Sequence, residues 1–185
     1  MLYYHLSSSY LVPMYPLSPA QIGRFLVTQW RRAFGLNLSR LDDLLFIGGE
    51  FPCERWPALH ALGIRAVLSL QGEREDIFCD PLPARTLRLE VEDFHAPSLA
   101  QLEQAVAFLR ESRQRGEPTL IHCHAGVGRA PLTAAALLIS EGASASAAVR
   151  RIHDARPIIR LNARQRARLA EWEQRVLRGE IGTTQ

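Results

Sequence analysis

The 185-residue sequence predicts an α/β domain in which a central, mostly parallel sheet is flanked by helices. Three observations carry that expectation. Short apolar runs that read as strands alternate with longer runs of helical period. The strand-like run 118–122 passes directly into a glycine-bearing loop and then an Ala/Leu-rich helix, which is the order of a βα unit. No repeat, low-complexity tract or second compositional regime interrupts the chain.

The elements follow in order. Residues 1–18 read as irregular. Pro19–Phe34 reads as a helix with Ile22, Phe25, Leu26, Trp30 and Ala33 on one side and arginines elsewhere. The first reading of this helix is packing on the domain through that apolar side; the second is a basic amphipathic surface for a membrane or a partner. Leu44–Gly48 is a short buried strand stopped by Gly48-Gly49, and Glu54–Leu62 is a helix closed by Gly63. Ile64–Leu70 is a strand. Arg85–Val91 is another, with Leu87, Leu89 and Val91 on one face. Ser98-Leu99-Ala100-Gln101 is a capping box that opens a helix striped by Leu99, Leu102, Val106 and Leu109 and ended by Gly116. After the strand 118–122 and its loop come helices over Pro131–Glu141, roughly 146–155 and roughly 162–178, the last capped by Asn162 with Gln165 three residues on.

Composition narrows the classes. The apolar fraction of 47% and charged fraction of 22% are those of an ordinary globular domain, and no run approaches the length that spans a bilayer. All 22 basic residues are arginine, which excludes lysine Schiff-base chemistry and Walker-type phosphate binding. Residues 1–40 carry net +4, residues 41–144 carry −6 and residues 145–185 carry +5, so the basic C-terminal region can rim a site for anions. Aromatic and basic residues are not interleaved, and nucleic-acid binding is not expected. The N-terminus has no charged leader region, so a secretory signal is not expected. Cys53, Cys79 and Cys123 form no even-numbered framework, which points to a reducing, cytoplasmic setting and against a disulfide scaffold. Cys53 and Cys79 read as inert; a disulfide from one of them to Cys123 stays open. No further Cys/His cluster completes a metal site around His122, Cys123 and His124, so neither metal nor cofactor is expected.

The segment Cys123-His124-Ala125-Gly126-Val127-Gly128-Arg129 concentrates the chemistry. A cysteine ends a strand, a short loop offers backbone N–H groups, and a helix N-terminus adds partial positive charge, an arrangement that suits an oxyanion. Arg129 can grip two oxygens with its planar fork, and positive surroundings favour the thiolate form of Cys123, the nucleophile.

His122-Cys123-His124-Ala125-Gly126-Val127-Gly128-Arg129 resembles the H-C-x-x-G-x-x-R signature of the cysteine-dependent dual-specificity phosphatases, within the protein tyrosine phosphatase superfamily. Asp93-Phe94-His95-Ala96-Pro97, 30 residues before Cys123, stands where that family carries its general acid, and Arg156-Pro157 with Asn162 and Gln165 looks like its downstream pattern. The resemblance covers roughly 40–178. It implies residues 1–35 as an N-terminal extension with an amphipathic helix, 36–180 as the catalytic domain and 181–185 as a tail. It further implies metal-independent phosphomonoester hydrolysis through a phosphocysteine. Cys123 is then the nucleophile and Asp93 the general acid, with Glu92 in reserve. His124, Ala125, Gly126, Val127, Gly128 and Arg129 bind the phosphate, and His122 supports the loop from behind. The implied substrate is a phosphorylated protein, at phosphotyrosine and by extension phosphoserine or phosphothreonine, or a small phosphomonoester.

Two details qualify the likeness. The family usually places Ser or Thr after the arginine; here Ala130 follows, which predicts a slow second step and keeps open a phosphate-binding pseudophosphatase. The run C-x-A-G-x-G-R-A-P also looks like that of the plant glucan phosphatases. Trp30 followed by Arg40-Leu41-Asp42 looks somewhat like the start of the mitochondrial lipid-phosphatase branch, so a phospholipid or glucan substrate is the alternative, with peripheral membrane contact through 19–34.

Overall fold

The structure is a computed structural model and describes residues 19–181. The irregular reading of 1–18 and the tail 182–185 lie outside the described residues. Twelve elements run in order: α1 (Pro19–Phe34), β1 (Leu38–Arg40), β2 (Leu45–Gly48), a 3-10 turn (Cys53–Arg55), α2 (Trp56–Ala61), β3 (Ala66–Gln71), β4 (Arg85–Val91), α3 (Leu99–Gln114), β5 (Thr119–His122), α4 (Arg129–Ser140), α5 (Ala145–Ala155) and α6 (Ala163–Leu177).

The five strands order as β1-β2-β5-β3-β4, with β2, β5, β3 and β4 parallel and β1 antiparallel at the edge beside β2. The mostly parallel sheet expected from the sequence is therefore present. Strand periodicity divides the core. Phe46, Val67 and Leu120 point to one face and join Trp56 and Leu59 of α2. Leu45, Ile47, Leu68, Leu70 and Ile121 point to the other face, under α3, α4, α5 and α6. Buried on both faces, the central strands read as continuous apolar runs rather than alternating ones.

Helix ends follow local chemistry. Both capping boxes form: Ser98 Oγ accepts from Gln101 N at 3.1 Å while Ser98 N donates to Gln101 Oε1 at 2.9 Å, and Asn162 exchanges the same pair with Gln165. α4 is buried along its whole length, which its Ala/Leu composition permits, and it tolerates Pro131 because the first turn needs no N–H from that position.

Three expectations are corrected. The helix expected over 54–62 begins as the 3-10 turn and becomes α-helical only at Trp56, with Pro57 seated in its first turn. Cys53 and Cys79 are joined in a disulfide, contrary to the expected absence of one, and Cys123 is the free cysteine. Among its described side chains, α1 turns most of its apolar side outward: Thr28 is buried and Phe25 half-buried, whereas Ile22, Leu26, Val27 and Trp30 are exposed; the side chain of Ala33 lies outside the described ones.

Candidate active site

The parallel strands all end on one edge of the sheet, and each delivers a piece of the site there. Glu50 lies just beyond β2, Glu73 and Asp76 beyond β3, Asp93 beyond β4 and Cys123 beyond β5. Residues 72–84, between β3 and β4, form a long strap behind the cysteine loop.

The loop 123–129 is shaped by what holds its carbonyls. His124 O accepts from Glu50 N at 2.9 Å, and Ala125 O accepts from Asn37 Nδ2 and from the Arg156 guanidinium, each at 3.3 Å. Gly126 O accepts from Arg156 Nε at 2.6 Å, and Val127 O accepts from Arg160 N at 2.9 Å. In a planar trans peptide the N–H points opposite to the preceding C=O. Four carbonyls fixed outward thus turn the N–H groups of residues 125 to 128 toward the interior of the loop. With the N-terminus of α4, which no side chain caps, they make an oxyanion cradle.

Gly126 is left-handed, with φ of 67°, and a Cβ there would lie 2.3 Å from Gly48 O, so only glycine fits. Arg156 is fully buried and also bonds Asn37 Oδ1 at 2.6 Å and Ser39 Oγ at 3.2 Å. Sequence inspection marks Arg156 only as part of a family pattern. Its work as the brace of two loop carbonyls needs Asn37, more than a hundred residues away, to become visible.

Arg129 is buried to 1% exposure and gripped on several sides. Its Nη1 donates to Val91 O at 2.7 Å and Glu73 Oε2 at 2.9 Å; its Nη2 donates to Glu73 Oε1 at 2.8 Å and pairs with Asp93 Oδ1 at 2.9 Å. Burial works against the charged guanidinium. The Glu73 hydrogen bond and the charges of Cys123, Glu73 and Asp93 outweigh it and hold the Arg129 pKa above its ordinary value. Reciprocally, the hydrogen bond from Arg129 keeps the Glu73 carboxyl below the usual carboxylate range, against its own burial. Glu73 is a site residue that sequence reasoning missed. It lies in an acidic tetrapeptide, Glu73-Arg74-Glu75-Asp76, that reads like any solvated turn.

His122 is fully buried, and its Nε2 lies 2.8 Å from Asp76 Oδ2. A carboxylate only accepts, which assigns the shared proton to Nε2 and fixes the ring. The ring also packs against Phe51, at 5.2 Å between centroids. His122 is thus held next to the loop by Asp76, a partner that sequence reading does not foresee. His124, on the rim, pairs through Nδ1 with Glu50 at 2.9 Å. Beside it a cleft of about 590 Å³ opens between the end of α1 and the loop, walled by Gln29, Asn37, Phe51, Arg55 and His124 among others.

Asp93 reaches the site through its ion pair with Arg129, whereas Glu92, the reserve candidate, pairs with His95 at 3.5 Å and does not contact Arg129 among the described residues. Behind Asp93, Phe94 is left-handed at φ of 60° and 74% exposed. Asn162 Nδ2 donates to Phe94 O at 2.7 Å and Gln165 Nε2 to His95 O at 3.0 Å, which ties the acid loop to the start of α6. Gln165 also lies against Gly128, where a Cβ would meet its side chain at 2.8 Å.

A buried, carboxylate-braced arginine beside a cysteine loop with inward amides makes a preformed site for a tetrahedral oxyanion. Comparison with known proteins agrees. Residues 45–175 match the family model "Dual specificity phosphatase, catalytic domain", and the chain belongs to that family. It is 33% identical over 98 residues to human "Dual specificity protein phosphatase 12", a match that covers 51% of this chain and 29% of that protein. It is 26% identical over 140 residues to "Phosphatidylglycerophosphate phosphatase PTPMT2" of Arabidopsis thaliana, covering 72% of this chain and 61% of that protein. The chain thus spans less than two thirds of either relative. Among solved structures it resembles "Tk-PTP in the active form" at 27% identity and a TM-score of 0.67, over 75% of this chain and 97% of the other. A structure of "PTPMT1 in complex with PI(5)P" shares the fold at a TM-score of 0.70 and 22% identity, over 78% and 99%.

Proposed function

We propose that this chain hydrolyses phosphomonoesters without metal through a phosphocysteine, with phosphorylated protein as its substrate. The observation that carries the reading is the braced loop: four outward carbonyls, inward amides and Arg129 locked by Glu73, all around Cys123. The three equatorial phosphoryl oxygens would take the loop amides and the Arg129 fork, where charge is stabilised by groups already in place. Cys123 Sγ then forms the S–P bond as the P–O bond to the leaving group breaks, and Asp93 gives that oxygen its proton. Substrate phosphate competes with Asp93 for Arg129 Nη2, which frees Asp93 to reach the leaving oxygen. In the second step Asp93 takes a proton from water, which attacks phosphorus and releases orthophosphate and the thiolate. Gln165, against Gly128, is placed to orient that water.

Hydrolysis of para-nitrophenyl phosphate in EDTA tests the mechanism: activity absent in Cys123→Ser and strongly reduced in Asp93→Asn supports it, and activity surviving Cys123→Ser ends it. Ala130, fully buried after Arg129, offers no hydroxyl to help the thiolate leave. Phosphocysteine breakdown should therefore be slower than its formation. Rapid-quench kinetics should show a burst of one equivalent, and a linear course would contradict it.

Phosphoprotein is favoured by the name of the human relative and by the exposed rim, where Asp93 and Phe94 can meet a side chain presented on a flat surface. A second reading, a phospholipid monoester, is favoured by the outward apolar side of α1 and by the name of the Arabidopsis relative. Release of orthophosphate from phosphotyrosyl and phosphoseryl peptides, set against that from phosphatidylglycerophosphate, decides between them.

A further inference from the structure

We propose that the outward side of α1 docks on an anionic lipid bilayer and brings the catalytic loop to its surface. A helix on a water-soluble domain normally turns its apolar stripe inward. α1 does the reverse. Ile22, Leu26, Val27 and Trp30 are 46%, 61%, 50% and 62% exposed, and their spacing puts them on one side of the helix. Among the described residues, α1 is tied to the domain by a polar contact: Arg24 Nη1 donates to Asp154 O at the end of α5 at 3.0 Å, while the buried Thr28 Oγ1 bonds back within the helix to Arg24 O at 2.8 Å. Ile22, Leu26 and Val27 leave about half or more of their surface to solvent.

Charge selects the occupant. α1, residues 19–34, contains Arg24, Arg31 and Arg32 and no acid. A second copy of this chain, docked symmetrically, would set these arginines against their own like charges. The preceding residues 1–18 hold no Asp, Glu, Lys or Arg and could not neutralise them. An anionic bilayer supplies both an apolar interior for the stripe and phosphates for the arginines. The far end of α1 continues into the catalytic region: Gln29, Gly35, Leu36 and Asn37 wall the cleft whose other side is His124 and Ala125. A bilayer seated on α1 thus brings its headgroups beside the catalytic loop. The surface can serve a phosphatase of lipids or of membrane-bound proteins, so the docking stands apart from the choice of substrate.

Tryptophan emission reads the docking directly. Trp56 and Trp172 are fully buried, so a change on adding vesicles reports Trp30. The full chain carrying Cys123→Ser, which prevents turnover, is mixed with phosphatidylcholine vesicles with and without phosphatidylglycerol. Expected are a blue shift and co-sedimentation with the phosphatidylglycerol vesicles, both weakened at least several-fold by high salt or by omitting that lipid. Leu26→Glu should weaken binding about tenfold or more, since it puts a carboxylate where the acyl region would lie. In the Cys123 parent, Leu26→Glu should leave hydrolysis of soluble para-nitrophenyl phosphate unchanged. Trp30→Phe should keep co-sedimentation but lose the shift. The proposal fails if nothing sediments with the anionic vesicles, or if Leu26→Glu binds like its parent. It also fails if the shift follows protein concentration without vesicles, which would assign the face to a second copy. Because binding is read on an inactive variant, its failure is distinct from failure of the phosphatase reading.

Discussion

The strap 72–84 and the acid loop 92–97 follow neighbouring strands and both reach Arg129, yet they are built in opposite ways. The strap is fastened along its length. Glu73 holds Arg129, Arg74 pairs with Glu50, Asp76 holds His122, and Phe78 packs on Phe51 and Trp56. Cys79 is bonded to Cys53, and Pro81 O accepts from Trp56 Nε1. The acid loop exposes Glu92, Asp93 and Phe94, accepts a left-handed phenylalanine, and is tied to Arg129 by Asp93 and to the polar start of α6 through backbone carbonyls and His95. In the proposed mechanism one region fixes the groups that must already be in place when phosphate arrives, and the other carries the group that moves between Arg129 and the leaving oxygen.

The sharpest way to test that division is to remove Asp93. Asp93→Asn should lower kcat by about 10²- to 10⁴-fold on an alkyl phosphate, whose leaving group needs the proton, and by less on para-nitrophenyl phosphate. Equal losses on both substrates would mean that Asp93 acts through Arg129 rather than as an acid. Next is the fastening. Cys53→Ser with Cys79→Ser opens a closed loop of 26 residues and should cost about 3 kcal/mol in a denaturant titration. An unchanged midpoint would show that the aromatic contacts alone secure the strap.

Glu73→Gln removes the two-oxygen carboxylate grip on buried Arg129, leaving it Asp93 as its carboxylate partner, and should cost about 1–3 kcal/mol of stability, with a fall in kcat/KM. Its pH dependence has a defined sign. The Glu73 pKa is lowered by folding, so its contribution is complete above the unfolded carboxylate pKa and disappears as pH falls through the lower folded value. The variant's thermal midpoint should therefore lose part of the wild-type acid sensitivity. Phe94→Gly is the smallest change. It relieves the positive φ and should stabilise by about 0.4–1 kcal/mol, while KM for peptides rises if the ring meets substrate. Destabilisation would place Phe94 with the rigid region instead.

What the sequence makes legible here is whatever local chemistry enforces. The capping boxes, the central strands and the loop from Cys123 to Arg129 need only neighbouring residues to declare themselves. Asp93 stands out through the resemblance, 30 residues before Cys123 and after a strand, and the structure puts it against Arg129. β1 escaped because three residues, Leu38-Ser39-Arg40, show no period. The disulfide escaped because nothing near Cys53 or Cys79 marks a framework; a fold that returns the strap over the 3-10 turn is what joins them. Glu73, Asp76 and Arg156 act on partners more than 25 residues away, so their roles appear only when the sheet edge gathers them. The outward turn of α1 was misjudged for the opposite reason: its period was read correctly, but period says which residues share a side, not which way that side faces.

With Cys53 and Cys79 committed to each other, Cys123 is left as a solitary thiol. Many oxidised cysteines are rescued by a nearby second sulfur that converts the sulfenic acid to a disulfide. Cys123 has no such resolving partner in its own chain, and the strap that braces the loop is also what removes the two candidates. Peroxide damage at this atom must then be reversed by an external thiol or by ring closure onto a backbone nitrogen, or it proceeds to the irreversible acids.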